Sequence, residues 1–278
     1  MKPVLFRFWF IVAHSYGLML AVGFYAAWWL AARRARQRGE SPDDIGNMVL
    51  IAILAGVGGS RILYFWQYRR PGEPFWHIIK VWEGGLVFYG GLIAAAIALG
   101  VYLRWRRANV WKIADVVAPS VAVGQGFGRL GCFLNGCCFG GLATDRFPLG
   151  MRFPVVLSEQ GIAVGSPPFL QHAERGWISD AASHSLAVHP TQLYAALSLF
   201  AIAALVVVAE PHKRRHGELM ALVVVLNALS RLGIELVRRD AEAVALGWTT
   251  GQWGALGVLG LGLGVLAWAR RCGRQAWA

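Results

Sequence analysis

PTQLYAALSLFAIAALVVVA, residues 190–209, is twenty residues long and carries no charged side chain. Glu210-Pro-His-Lys213-Arg214-Arg215 follows it directly. An α-helix of that length spans about 30 Å, the thickness of a bilayer's hydrocarbon core. Six other blocks read the same way, at residues 8–32, 45–64, 84–103, 110–130, 218–237 and 251–269. Seven crossings are therefore expected. The chain as a whole is 56% hydrophobic and 15% charged, where a soluble domain has about a quarter charged residues. The expected fold class is an all-α polytopic membrane protein.

The formal net charge is +12. On a soluble chain that would point to nucleic acid. Here Lys and Arg sit mostly between the apolar blocks, so membrane topology explains them and no nucleic-acid partner is expected. With the N-terminus outside, fourteen basic residues fall in short inside segments: Arg33, Arg34, Arg36, Arg38, Arg104, Arg106, Arg107, Lys112, Lys213, Arg214, Arg215, Arg270, Arg271 and Arg274. Ten others are scattered over much longer outside segments. The bias predicts N-out, C-in. The first block is not read as a cleaved signal peptide, because it runs to Ala32 and meets an arginine-rich stop-transfer flank.

Residues 131–189 break the pattern. The segment contains Pro148, Pro154, Pro167 and Pro168 with many polar residues, and it cannot span. It is expected to form a small extracytoplasmic head, inserted between membrane parts at 1–130 and 190–278. Met151-Arg-Phe-Pro-Val-Val-Leu alternates enough to suggest a short strand. Ser41-Pro42-Asp43-Asp44 is a helix-start signal. The pairs Gly56/Gly59 and Gly124/Gly128 fit small-residue packing faces.

Three arginines remain, Arg61, Arg129 and Arg231, each in or at the end of an apolar block. A charge at the centre of a span is unfavourable by about 2.5–3.5 kcal/mol on insertion scales. The plain reading is internal pairing, with Glu83, Asp115 and Glu235 available; Arg231 and Glu235, four apart, share a helix face. The sharper reading is anion recognition, because guanidinium forks match phosphate oxygens. Arg129 stands in Gly124-Gln-Gly-Phe-Gly-Arg-Leu-Gly-Cys-Phe-Leu-Asn-Gly, where glycines allow close backbone approach to an anion. Arg61 is read as scaffold or accessory substrate contact.

Cys132, Cys137 and Cys138 cluster, and Cys272 is remote. C-x4-C-C is not a zinc pattern and implies no disulfide framework. Small packing residues are the ordinary reading, and a redox pair of Cys132 with Cys137 or Cys138 is the further option.

In register along nearly the whole chain stand His14-Ser-Tyr-Gly-Leu-Met, Gly59-Ser-Arg-Ile-Leu-Tyr, Gly84-Gly-Leu-Val-Phe-Tyr-Gly-Gly-Leu-Ile, Gly128-Arg-Leu-Gly-Cys-Phe-Leu-Asn-Gly, His189-Pro-Thr-Gln-Leu-Tyr, Arg231-Leu-Gly-Ile-Glu-Leu-Val-Arg and Thr250-Gly-Gln. In these the chain resembles the prolipoprotein diacylglyceryl transferases. The resemblance implies a multi-pass enzyme of the bacterial cytoplasmic (inner) membrane. Such an enzyme moves the diacylglyceryl group of phosphatidylglycerol onto the lipobox cysteine of preprolipoprotein signal peptides, and glycerol phosphate leaves. No cofactor and no metal are expected. The resemblance gives Arg129 and Arg231 the lipid phosphate, and Tyr16, Gly128, Asn135, Gly140, His189, Glu235 and Arg238 match motif positions.

Departures bear on the proton acceptor. The third-span motif carries His in well-studied members and Tyr89 here. Cys132 and Cys137 stand at Asn and Glu positions, and Asn227 at a Tyr position. A tyrosine with an ordinary pKa of about 10 is a poor base, so Tyr89 is read as a catalytic or headgroup-orienting residue. His189 is the imidazole candidate, with His14 behind it. The departures motivate two alternatives: a paralogous transferase or hydrolase with another acceptor, and a non-catalytic lipid-binding or transport protein.

Overall fold

A computed structural model describes residues 4–8, 11–69, 72, 74–81, 84–144, 147–155, 166–179, 182–238, 243–245 and 247–272. Its long helices follow the apolar blocks in order: α1 (Ser15–Gln37), α2 (Pro42–Tyr68), α3 (Phe88–Trp105), α4 (Val110–Asn135), α6 (Thr191–Ala209), α7 (Glu218–Glu235) and α8 (Thr250–Cys272). A short helix, α5 (Pro167–Glu174), lies in the polar insertion. Five of these, α1, α2, α3, α6 and α8, are long and apolar enough to cross a membrane. In α4 the run is diluted by Lys112, Asp115, Gln125 and Arg129, and in α7 by Glu218, Arg231 and Glu235.

The first apolar block is not helical from its start. Val4–Phe8 (β1) and Ile11–His14 (β2) pair as an antiparallel hairpin with Phe8 opposite Ile11. Aromatic and β-branched residues dominate that stretch, and they favour a pleated backbone. A second hairpin, β3 (Ala243–Ala245) with β4 (Trp248–Thr249), leads into α8. Ser41 caps α2 as its sequence signals: the hydroxyl accepts from Asp44 N at 3.4 Å, with Pro42 in the first turn.

The chain divides into two compact units, residues 28–116 and residues 1–27 with 117–278. In the first, α2 packs on α3 through glycine. A Cβ at Gly59 would lie 2.5 Å from the Gly90 carbonyl oxygen, and one at Gly91 would lie 2.7 Å from that of Gly56. Small residues let two backbones approach closely, which lipid-embedded helices need because burial of apolar surface does not drive them together. Polar ties join the start of α2 to the end of α3 and to the start of α4: Asp44 accepts from Tyr102 Oη at 2.9 Å and pairs with Arg106, and Lys112 pairs with Glu40 at 2.6 Å.

In the second unit α7 packs against both α6 and α8. Ala118 and Ala122 of α4 meet Leu199, Ile202, Ala203 and Val206 of α6 and Leu219 and Val223 of α7 in one buried cluster. The first half of α1 crosses α4 at Gly23 and Gly124, and a Cβ at Gly23 would lie 3.2 Å from the Gly124 carbonyl oxygen. Gly128 is looser, with Leu20 at 3.9 Å.

The polar insertion folds on extended backbone. Met151 and Val188 exchange both of their backbone hydrogen bonds, and Pro154 bridges His184. The strand suggested at 151–157 is thus two isolated bridges, and its residues beyond 155 lie outside the described ones. Pro154 has no N–H to continue a ladder. Phe139, Phe153 and Val188 form the local core.

Gly59→Val should lower stability by about 1–3 kcal/mol or prevent folding, because backbone lies where its side chain must go. Gly58→Ala, with open space at its Cβ, should be neutral or stabilising. Thermal unfolding of the two variants in detergent checks the contrast.

Candidate active site

The site grows from the end of α4. Gly136, with φ +76°, closes the helix: its N–H donates to Phe133 O, and the Cys137 N–H returns to Cys132 O at 3.1 Å. This is the paired-bond stop that a left-handed glycine makes, and it seats the residue after the glycine over the one five positions earlier. Those two residues are Cys137 and Cys132. Cys138 follows with φ +61°, a region costly for a residue with a Cβ. The turn brings all three Sγ atoms within 4.8 Å of one another. None is in a disulfide.

Helix α6 holds this turn from its first residues. Gln192 Nε2 donates to Cys137 O and Thr191 Oγ1 donates to Cys138 O, each at 2.8 Å. Gln192 is fully buried, and its Oε1 has no hydrogen-bond partner among the described residues. Gly140 sits where nothing larger fits, because its Cβ would lie 2.7 Å from Thr191 Cγ2 and 3.0 Å from His189 Cβ.

Arg129 is one turn before Cys132 and half-buried. Among the described residues it makes no hydrogen bond and no ion pair. Arg231 Nη2 pairs with Glu235 Oε2 at 3.0 Å, as their four-residue spacing predicts. Glu235 is buried, and Thr249 Oγ1 donates to its other oxygen at 3.0 Å. Thr249 also caps α8 reciprocally: its hydroxyl accepts from Gln252 N, and Gln252 Oε1 accepts from Thr249 N at 2.9 Å. A Cβ at Gly251 would lie 2.6 Å from Glu235 Oε1, so glycine there makes room for the carboxylate.

These groups share one electrostatic neighbourhood. Arg231 feels Glu235, Arg238, Arg129 and Cys138, and Tyr16 feels the three cysteines and Arg129. The Cys138 thiol is held below its ordinary range, first by hydrogen bonds from Cys132 and Cys137 and then by the charge of Arg129 and Arg238. Cys138, Phe139 and Arg238 line a cleft of about 410 Å³ with Pro167, Leu170, Gln171 and Glu174 from α5. Tyr16 itself packs on Gly131, where a Cβ would lie 3.0 Å from the ring. Asn135 is the last residue of α4, two positions before Cys137.

His189 Nδ1 lies 3.3 Å from Tyr194 Oη and its ring 4.7 Å from that of Phe147. In the 28–116 unit, Tyr89 opens α3 and is 68% exposed. Arg61, in the same unit, is buried and donates to Gly84 O at 2.6 Å, Gly85 O at 3.4 Å and His77 O at 2.9 Å. It organises the turn before α3. Asn227, at one departure, donates to Gln125 Oε1 at 3.2 Å. Glu83 lies outside the described residues. The sequence reading did not single out Thr249, Thr191 or Gln192. The T-x-x-Q spacing of residues 249–252 is a helix-start signature that marks the first of them.

The family model for prolipoprotein diacylglyceryl transferase matches residues 3–268. Relatives named phosphatidylglycerol–prolipoprotein diacylglyceryl transferase include one from Chromohalobacter salexigens, 34% identical over 93% of this chain and 88% of its own length. Another, from Clostridium tetani, is 31% identical over 95% and 96%. A third, from Paraburkholderia phymatum, is 32% identical over 99% and 95%.

Thr249→Val removes both the cap of α8 and a hydrogen bond to a buried carboxylate. It should lower stability by about 1–3 kcal/mol, whereas Thr249→Ser should change it by a few tenths. Denaturation midpoints of the pair separate the hydroxyl from the rest of the side chain.

Proposed function

The chain belongs to the prolipoprotein diacylglyceryl transferase family, and from that membership we infer its reaction. It transfers the diacylglyceryl group of phosphatidylglycerol to the cysteine thiol of a prolipoprotein, releasing glycerol phosphate. It is a membrane transferase. We propose that its two substrates, the lipid and the signal peptide, meet at the arginine and thiol group around the end of α4.

The bond chemistry sets two requirements. A sulfur must attack a carbon, so the thiol must first give up its proton. A phosphate ester must leave with a second negative charge, so that charge must be stabilised where it develops. Arg129 is suited to the second task. It is half-buried, its donors are not taken by described residues, and Arg231 lies in its electrostatic range, with Arg238 in that of Arg231. Glu235 holds one end of the Arg231 fork and leaves the other donors for phosphate. This half-buried, unengaged guanidinium is the observation that carries the reading. Gly128 adds no side chain beside it, the nearest group to its Cβ position being Leu20 at 3.9 Å, and Tyr16, Asn135 and Gly140 are proposed to shape the walls around the thiols. In the 28–116 unit, exposed Tyr89 is proposed as a lipid-contacting residue, and Arg61 as an accessory one that acts through the turn it organises. His189 is proposed to position the loop that begins at Gly140, as their backbone hydrogen bond favours.

We further propose seven spans with the N-terminus outside and the C-terminus inside, residues 131–189 as an extracytoplasmic head, and residence in the bacterial inner membrane. The arginine bias between short and long connecting segments supports this orientation. On it, the end of α4 lies at the depth of outer-leaflet headgroups.

Arg129→Ala and Arg231→Ala should each lower glycerol phosphate release from phosphatidylglycerol and a lipobox peptide by about 10²–10³-fold. Lysine at either site should recover only part, because it lacks the planar fork. Full turnover in both alanine variants would refute the phosphate clamp. Alkaline phosphatase fused after Gly150 should be active and fused after Arg271 inactive; the reverse result would invert the topology.

A further inference from the structure

We propose that Cys132, Cys137 and Cys138 bind a zinc ion whose fourth position takes the thiol of the acceptor cysteine. The proposal rests on the transfer reading above and adds the source of the thiolate. Three observations carry it. First, the Sγ atoms lie within 4.8 Å of one another. Zinc–sulfur bonds of about 2.3 Å at tetrahedral angles place sulfurs about 3.8 Å apart, so small rotamer changes close the site. Second, the backbone is already committed. The glycine stop of α4 stacks Cys137 on Cys132, Thr191 and Gln192 hold the next two carbonyls, and Cys138 keeps a left-handed φ. The helix stop by itself accounts for the stacking of Cys137 on Cys132, but not for the left-handed φ of Cys138, a residue with a Cβ. Third, the open side is the useful side. Cys138 is exposed and lines the cleft with Arg238.

Three protein ligands with an accessible fourth position are the pattern of a catalytic zinc, while structural zinc is closed by four. Three thiolates and one zinc ion leave one net negative charge. Arg129, Arg231 and Arg238 lie around Cys138 to offset it. The reaction supplies the reason for the site. Of the carboxylates at this group, Glu235 is buried on Arg231 and Thr249, and Glu174 lines the cleft from α5 on its outer, exposed side. His189 contacts Tyr194 and Phe147. A metal-bound thiol is deprotonated outright at neutral pH, so it needs no side-chain base.

The step balances without redox change. The acceptor cysteine's S–H gives its proton to water in the cleft as the sulfur binds the metal. A sulfur lone pair attacks the glyceryl carbon that bears the phosphate oxygen. The C–S bond forms, the C–O bond breaks, and its electron pair leaves on phosphate, making glycerol phosphate a dianion beside the arginines. The thioether, a weaker ligand, then leaves the metal.

The full chain, purified in detergent under reducing conditions from zinc-supplemented cells, should carry about one zinc. X-ray absorption should show sulfur at about 2.3 Å, and Cys132→Ser, Cys137→Ser and Cys138→Ser should each reduce the content. Chelation should slow transfer by at least about 10²-fold, and zinc should restore it. In the cobalt-substituted wild type, a lipobox peptide should add sulfur-to-metal charge-transfer absorbance that a Cys→Ser peptide does not. A structural metal would not give that response, and the readout needs no variant that folds poorly. A metal-free protein with three alkylatable thiols, or a disulfide among them, would overturn the proposal. So would transfer that persists after zinc is removed, or a cobalt spectrum indifferent to the peptide thiol. A peptide-responsive metal without product from phosphatidylglycerol would keep the site and sink the transfer reading instead.

Discussion

A helix that ends beneath a polar loop must dispose of its last carbonyls, and the way α4 does so governs its surroundings. Without Gly136 in the left-handed region, neither return bond to Phe133 nor to Cys132 forms. The next residues would then run away from the helix axis. With those bonds, Cys137 lies on Cys132, and the carbonyls of Cys137 and Cys138 point to the start of α6. Thr191 and Gln192 take them there. Gly140 and Gly141 then pair with His189, which fixes where the polar insertion leaves the bundle and where it returns. One stop signal thus couples α4, α6 and both ends of the insertion.

The second coupling is electrostatic. Glu235 is buried at the end of α7 and is met from two directions, by the charge of Arg231 on its own helix and by a hydrogen bond from Thr249 at the cap of α8. A buried carboxylate is tolerated only when paired and hydrogen-bonded. The cap of α8 is therefore also the orientation device for Arg231. The Gly251 position follows, since any side chain there would strike the carboxylate. Local helix-start chemistry and the placement of an arginine fork are here one arrangement.

Much of this was legible in the sequence because it is periodic or locally signalled. The seven blocks became the seven long helices, Ser41 capped α2, Gly56 and Gly59 lie at the α2–α3 crossing, and Arg231 paired with Glu235. The start of α1 was misjudged at Phe8, because apolar content does not separate a β hairpin of aromatic and branched residues from the first turns of a span. The juxtaposition of Cys132 and Cys137 is not legible as a spacing pattern, because C-x4-C around a left-handed glycine is a property of helix stops. Gln192 and Thr249 act through partners 55 and 14 residues away, and one sequence gives no measure of such pairings.

The charge balance of the group shows why it should be incomplete without substrate. Among the described residues, Arg129 and Arg231 share a neighbourhood with one buried carboxylate, Glu235, while Glu174 lines the cleft beside Arg238. Like charges at that density repel, and a partly desolvated setting strengthens the repulsion. Within a scaffold built only for stability, each guanidinium would be given a carboxylate, as Arg106 is given Asp44. Arg61 shows the other solution, since backbone carbonyls take its donors. Arg129 has neither among the described residues. On the proposed reading the missing charge arrives with the lipid: one negative charge on the phosphodiester as it binds, and two on the phosphate ester as it leaves. The arrangement therefore becomes more favourable along the reaction than at its start, which is the condition for an electrostatic site to speed the chemical step and not merely to hold its substrate.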